Sequence, residues 1–297
     1  MNPGSFFSVI LLACMWGPSF LFIKVGVQEI PPLTLTLARV FFAALLLVLL
    51  LRLRGLALPG FGMIWVHLTV MAVLSCIVPF SLINYAEVTI DSSLVGIING
   101  LVPLLATLLA HIFIVEEHLT WKRTGGVLLG LLGFLLLMLP SLQKHGVDVN
   151  TQGILMVGLA SLSYAIGMVY GRRYLSGLTT LALPTMQLLL ATAIILPIAL
   201  WWEQPWTLPI PSTSALLAVA MLSLWGTAAA FVVFFYILGN FGVVALAVSV
   251  YLLPPFSIFF GVIFLGEVLS GLVFVATALI LCGMVLVSQT AISRRIE

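Results

Sequence analysis

Apolar stretches of about twenty residues follow one another along almost the whole chain, and their pattern returns after about half its length. A helix of that length crosses the hydrocarbon core of a bilayer, where every backbone polar group must be satisfied within the segment. Tyr85, Pro103, Ile112, Phe113 and Glu116 recur 151 positions later as Tyr236, Pro254, Ile263, Phe264 and Glu267. Earlier in the halves the offset is 148, which sets Arg172 opposite Lys24 and Gln187 opposite Arg39. A three-residue difference in one loop explains the change, so the chain is expected to be one ancestral unit duplicated.

Charged residues make up 7% of the 297 and apolar ones 63%, too few polar groups to coat a water-soluble globule. The eleven Lys and Arg residues lie scattered between spans instead of forming a stripe, so no nucleic-acid partner is expected. Cys14, Cys76 and Cys282 fall inside apolar spans with neither metal nor disulfide spacing, and read as small hydrophobes. No metal and no cofactor is expected. The segment from Phe6 to Ile23 has no cationic leader and no small-residue cleavage site, and reads as a retained first helix.

Turn signals divide the chain into ten spans, an all-α polytopic fold. They run approximately over 6–23, 33–51, 62–83, 93–115, 124–139, 153–171, 181–201, 214–237, 243–265 and 269–289. Gly239-Asn240-Phe241-Gly242 reads as a short connection, and the polar link from Gln143 to Gln152 separates the halves, giving five-helix repeats over 1–146 and 147–297. Arg52, Arg54, Lys122, Arg123, Arg172, Arg173, Arg294 and Arg295 all fall on one side if both termini are cytoplasmic. Opposite them lie only Lys24 and Lys144. Trp201, Trp202 and Trp206 read as an interfacial aromatic cluster. An odd number of spans per half makes the repeat inverted, an architecture suited to alternating access around a midplane site.

Trp16-Gly17-Pro18-Ser19-Phe20 with Lys24, Arg39 in span two, and a proline thirteen residues before a glutamate in both halves resemble the EamA-type domains of the drug/metabolite transporter superfamily. The resemblance covers essentially the whole chain as two tandem domains. It implies a ten-helix exporter of small metabolites with a central cavity lined by helices one, three, four, six, eight and nine. Relatives include exporters of amino acids, aromatic ones among them, and carriers of nucleotide sugars, purines or drugs. Gln187 in place of a second arginine departs from a symmetric pattern.

Polar side chains in lipid are costly and face the bundle interior. On the helices that the resemblance assigns to the cavity lie Asn84, Tyr85, Asn99, Tyr164, Trp225, Thr227, Tyr236, Ser249 and Tyr251; with Trp16 and Phe80 they are expected to form an uncharged aromatic pocket. Such a lining suits a neutral or zwitterionic solute with an apolar side chain. Individually, each ring has an equal claim to packing or to an interfacial belt.

The charged positions read as gating or structural. Arg39 fits a carboxylate clamp or an interhelical anchor, and the anchor is favoured because the resemblance leaves span two outside the cavity. Lys24 and Arg172 sit at matching helix ends from which they can snorkel. Glu116 and Glu267 end spans four and nine and are expected to cap or tie helix ends, while Pro103 and Pro254 should bend those same spans. His67 and His111 read as helix-contact residues. No carboxylate lies near a span centre, which argues for downhill facilitated export or for coupling too weak to read from the sequence.

The expected function is therefore a secondary carrier exporting small metabolites, amino acids foremost, with nucleobases or nucleosides, sugar derivatives and drugs as the alternative cargo. A channel would need a ring-forming polar lining and an enzyme a catalytic cluster, and neither pattern is present. A small-molecule substrate and the lipid bilayer are the expected partners, in an inner or plasma membrane. The sequence leaves the oligomeric state open, and a monomer is consistent with it.

Overall fold

The structure is a computed structural model that describes residues 3–114, 120–142, 149–175 and 181–293, and all regular elements among them are helical. Nine of these helices are long and apolar enough to cross a membrane, and a shorter apolar helix over Gly271–Val287 makes ten. The protein is a polytopic all-α membrane protein, as the apolar spacing predicts.

Span one is split into α1 (Pro3–Trp16) and α2 (Ser19–Gly26) at Gly17-Pro18, and span two is α3 (Pro32–Leu53). Span three holds α4 (Met63–Ala72), a π-helical turn at Val73–Ile77, and α5 (Val78–Glu87). Span four is broken into α6 (Ser92–Asn99) and α7 (Val102–Phe113). Unbroken helices α8 (Trp121–Leu142), α9 (Val149–Tyr174) and α10 (Ala182–Glu203) make spans five to seven. Next come α11 (Thr213–Ala220), a second π-helical segment at Met221–Ala229, α12 (Ala230–Tyr251), α13 (Leu253–Leu265) and α14 (Gly271–Ser293).

Several irregularities recur in both halves. Span four breaks in front of Pro103, and the chain leaves the helix at Leu252 in front of Pro254, because a proline deprives the helix of a donor and crowds the preceding turn. The π-helical turns fall in spans three and eight, which correspond in the repeat, and such bulges are frequent at functional sites.

One expected turn is absent. Helix α12 runs through Gly239-Asn240-Phe241-Gly242, where the sequence predicts a connection. Two glycines cost a helix only about 1 kcal/mol each and, without a proline, do not stop its hydrogen bonding.

Corresponding spans meet across the halves: α3 lies along α10, α6 along α13 and α8 along α14. One further pair of contacts is related by the repeat, α5 on α9 and α11 on α2. Small residues permit the closest approach. A Cβ on Gly126 would stand 2.7 Å from the carbonyl oxygen of Gly283, so α8 and α14 touch backbone to backbone there.

Side-chain chemistry separates the two ends of the bundle. At the basic end, His67 Nδ1 meets the Tyr170 hydroxyl at 2.8 Å and Arg173 donates to the Phe113 carbonyl at 3.2 Å. At the acidic end, three glutamates hold helix starts. Glu203 accepts from the Leu33 and Thr34 amides, Glu267 from those of Ser92 and Ser93, and Glu29 from that of Ser212. Amides at a helix N-terminus lack intrahelical partners and carry the positive end of the dipole, so a carboxylate is the fitting acceptor.

Candidate functional site between the two halves

The polar centre of the bundle forms around a cation. Arg39, 6% exposed, reaches from α3 into the second half, where its Nε donates to Thr227 Oγ1 at 2.9 Å. Its guanidinium carbon stands 3.7 Å from the centre of the Phe80 ring on α5, and that ring meets Tyr164 of α9 edge-on with centroids 6.4 Å apart. Spans two, three, six and eight thus converge on one charge. The π-helical segment makes this possible: Thr227 donates its hydroxyl proton to the Leu222 carbonyl five residues back, at 2.8 Å, and offers a lone pair to Arg39. Among the described residues this is Arg39's only hydrogen bond, so the two terminal amino groups are uncommitted. A guanidinium face on an aromatic ring, with its fork free, is the geometry that binds a carboxylate in two parallel hydrogen bonds.

The same contact appears a second time with its chemistry changed. Gln187 of α10 donates from Nε2 to Cys76 Sγ at 3.2 Å and to the Met71 carbonyl at 3.4 Å, inside and just before the π-helical turn of span three. Gln187 stands 148 positions after Arg39, and Thr227 stands 151 after Cys76. Each half therefore sends a polar side chain from its second span into the π-helical segment of the other half's third span. One pair is charged and the other neutral, so the centre is asymmetric.

The two matched segments fit one family. The model of the EamA-like transporter family matches residues 4–139 and again 151–289. The chain belongs to that family, as two tandem domains. Similar family members include the uncharacterized inner membrane transporter YedA of Escherichia coli K12, 27% identical over 95% of this chain and 90% of that protein. Protein PecM of Dickeya dadantii is 26% identical over 95% and 91% of the two chains, and the uncharacterized transporter YoaV of Bacillus subtilis 24% over 97% and 98%. A crystal structure 20% identical in sequence superposes with a TM-score of 0.67 over 98% of this chain and 99% of the other, which shows the shared fold. The protein is thus a membrane transporter.

Of the EamA residues singled out in the sequence, Phe80, Tyr164 and Thr227 gather around Arg39, so the expectation of an uncharged pocket does not survive. The resemblance leaves span two outside the cavity, yet Arg39 of that span contacts Phe80 and Thr227 on spans three and eight. Asn99 ends α6 at the span-four break, and its amide makes no hydrogen bond among the described residues. The Ile98 carbonyl beside it accepts from Ser161, one turn before Tyr164 on α9, which puts Asn99 at that level of the bundle.

Other candidates lie elsewhere. Asn84 is fully buried and donates from Nδ2 to Pro32 O and Thr36 Oγ1, both at 3.0 Å, so it ties α5 to the start of α3. Tyr85 donates to Glu203 at 3.4 Å at the acidic end. Trp16 packs against Phe234, with centroids 6.0 Å apart. Trp225 is 38% exposed and Tyr236 is more open still, its ring edge-on to Phe241. Ser249 is buried with its hydroxyl unbonded, and Tyr251 packs against the main core beside the Leu252 break. Pro103 and Pro254 mark the two breaks described above.

Lys24 does not snorkel. Its ammonium donates to the carbonyls of Glu87 and Ile90, both at 2.8 Å, closing the C-terminus of α5 from span one. Arg172 is exposed at the basic end, so the two matched cations differ in environment. Glu267 joins the halves, holding Ser92 and Ser93 by both amides and both hydroxyls. Glu116 lies outside the described residues. Cys76, Glu29, Glu87 and Glu203 are structural participants that the sequence does not single out. The 151-residue offset linking Cys76 to Thr227 was the available signal for the first.

Proposed function

We propose that the protein is a secondary transporter that exports small metabolites, amino acids with aromatic or other apolar side chains foremost, by alternating access between its two five-helix repeats. The observation that carries this reading is Arg39, whose free guanidinium fork lies against Phe80 and beside Tyr164. The fork binds the substrate carboxylate, and the rings flank its side chain. Asn99 and Tyr164 supply neutral partners for the ammonium group. Trp16, Asn84, Tyr85, Trp225, Tyr236, Ser249 and Tyr251 shape the path and the walls, with the breaks before Pro103 and Pro254 as hinges for rocking one half on the other.

In this reading the basic end is cytoplasmic, both termini lie there, and the membrane is the cell's inner or plasma membrane. The protein moves its cargo without chemical change. Saturable uptake of amino acids into proteoliposomes of the purified protein, with competition by other apolar amino acids but not by sugars or nucleosides, tests it. Uptake that prefers a nucleoside or sugar derivative would overturn the substrate class.

A further inference from the structure

Glu87 ends α5 and is entirely buried, with 0% exposure and no hydrogen-bond partner on either carboxylate oxygen. An ionised carboxylate removed from water without a donor costs many kcal/mol, whereas a protonated one has no charge to solvate. The nearest cation does not resolve this. Lys24 directs its ammonium at the carbonyls of Glu87 and Ile90, so it lends a field and no hydrogen bond to the carboxylate.

The surrounding charges are few and mixed. Lys24 faces Glu87 from α2, Arg39 from α3 and Glu267 from beyond α13, two of them attracting and one repelling a negative charge. Asp91 follows on the same connection, and Tyr85 on α5 itself turns to Glu203 of α10. On α9, Tyr164 lies at the level of Arg39, while Tyr170, Arg172, Arg173 and Tyr174 lie at the basic end.

Glu87 lies at the acidic end of the bundle, where Lys24 binds the Glu87 and Ile90 carbonyls. Five residues after Glu87 the chain enters α6 under the Glu267 cap, which pins the second half to the first. Ser93 and Ser257 exchange further bonds at this cap, and one turn deeper a Cβ on Gly96 would collide with the Ser257 side chain. If α6 and α13 part there, water reaches the end of α5.

We infer that Glu87 is a proton-binding site that locks the acidic end: the end closes only when Glu87 carries a proton, and it opens as that proton passes to the solution on that side. The step is a simple acid dissociation, with the proton going to water and the carboxylate gaining hydration. Protonation is thereby linked to the conformational cycle, which the position of Glu87 at a helix end did not suggest.

The sign follows from linkage. The closed state binds one more proton than the open state, so opening is favoured as pH rises. The test uses the full-length protein in lipid nanodiscs without any substrate, so it is independent of the cargo. Wild type, Glu87→Gln, Glu87→Asp and Glu267→Gln are compared by infrared spectroscopy and by hydrogen exchange of the first turn of α6, between roughly pH 5 and 9. Wild type should show a protonated carboxylic-acid band at neutral pH that is lost in Glu87→Gln and moved in Glu87→Asp. Opening of the α6 turn should rise with pH, by at most about tenfold per unit, in wild type and Glu87→Asp, and stay flat in Glu87→Gln measured at the same pH values. Glu267→Gln should loosen the turn at every pH and, by the same linkage, weaken the Glu87 acid band at neutral pH. Lack of a Glu87-dependent acid band at neutral pH, or equal pH slopes in wild type and Glu87→Gln, would overturn the inference.

Discussion

Arg39 Nε and Thr227 Oγ1, separated by 188 residues in sequence, lie 2.9 Å apart and join the two halves at the middle of the bundle. The strength of such a bond in a bilayer is moderate, since helices in lipid find alternative partners. Thr227→Val keeps the shape and leaves a buried charged donor without its acceptor. We expect thermal stability in detergent to fall by about 1–2 kcal/mol, and transport to fall further because the guanidinium loses its orientation. A double-mutant cycle with Arg39→Gln measures the coupling, which should be near zero if the two side chains act separately.

The neutral counterpart should matter less. Gln187→Leu replaces a bond to a thiol sulfur, a weak acceptor, with an apolar contact of similar volume between α10 and the π-helical turn of span three. Stability is expected to change by less than about 1 kcal/mol, with substrate selectivity unaltered. A selectivity change in Gln187→Leu equal to that in Arg39→Gln would mean that the centre works symmetrically.

Acid should loosen one exposed cap at the acidic end, the one formed by Glu29. Two hydrogen bonds from Ser212, hydroxyl and then amide, hold the Glu29 carboxyl below its ordinary value of 4.5, and burial opposes them weakly. The folded value is the depressed one, so this contribution is complete above 4.5 and is lost as the pH falls through the lower folded value. Hydrogen exchange in the first turn of α11 should accelerate in that window for wild type. Glu29→Gln should remove the acid-dependent part.

Much of the fold was legible in the sequence, and the centre was not. Apolar length located the spans, and Pro103 and Pro254 foretold the breaks, because both properties act locally through the backbone. The Gly239–Gly242 turn was misread because glycine weakens a helix without ending it. Arg39's partners were hidden for a different reason. A contact between spans two and eight depends on how the halves dock, and the π-helical segment that turns Thr227 toward Arg39 has no signature in residue type. Burial of Glu87 was equally illegible, since a carboxylate at a helix end is solvated unless neighbouring elements cover it.

Two further variants separate recognition of the side chain from recognition of the backbone groups. Asn99→Ala is expected to weaken transport of all amino acids by about three- to tenfold, the loss of one hydrogen bond. Trp225→Ala should lower transport of aromatic substrates more than that of small ones, by about 0.5–1.5 kcal/mol in apparent affinity. Unchanged uptake and selectivity in both, at matched membrane expression, would assign these residues to packing.

The central claim is that the Arg39 guanidinium reads a carboxylate, and paired substrates test it most directly. Proteoliposomes of wild type and Arg39→Gln are assayed by counterflow with apolar amino acids and with the amines that lack only the carboxyl group. Wild type should carry the acids and discriminate against the amines by at least about tenfold, while Arg39→Gln should lose that discrimination. Equal transport of acid and amine by wild type, or undiminished discrimination in Arg39→Gln, would contradict the account.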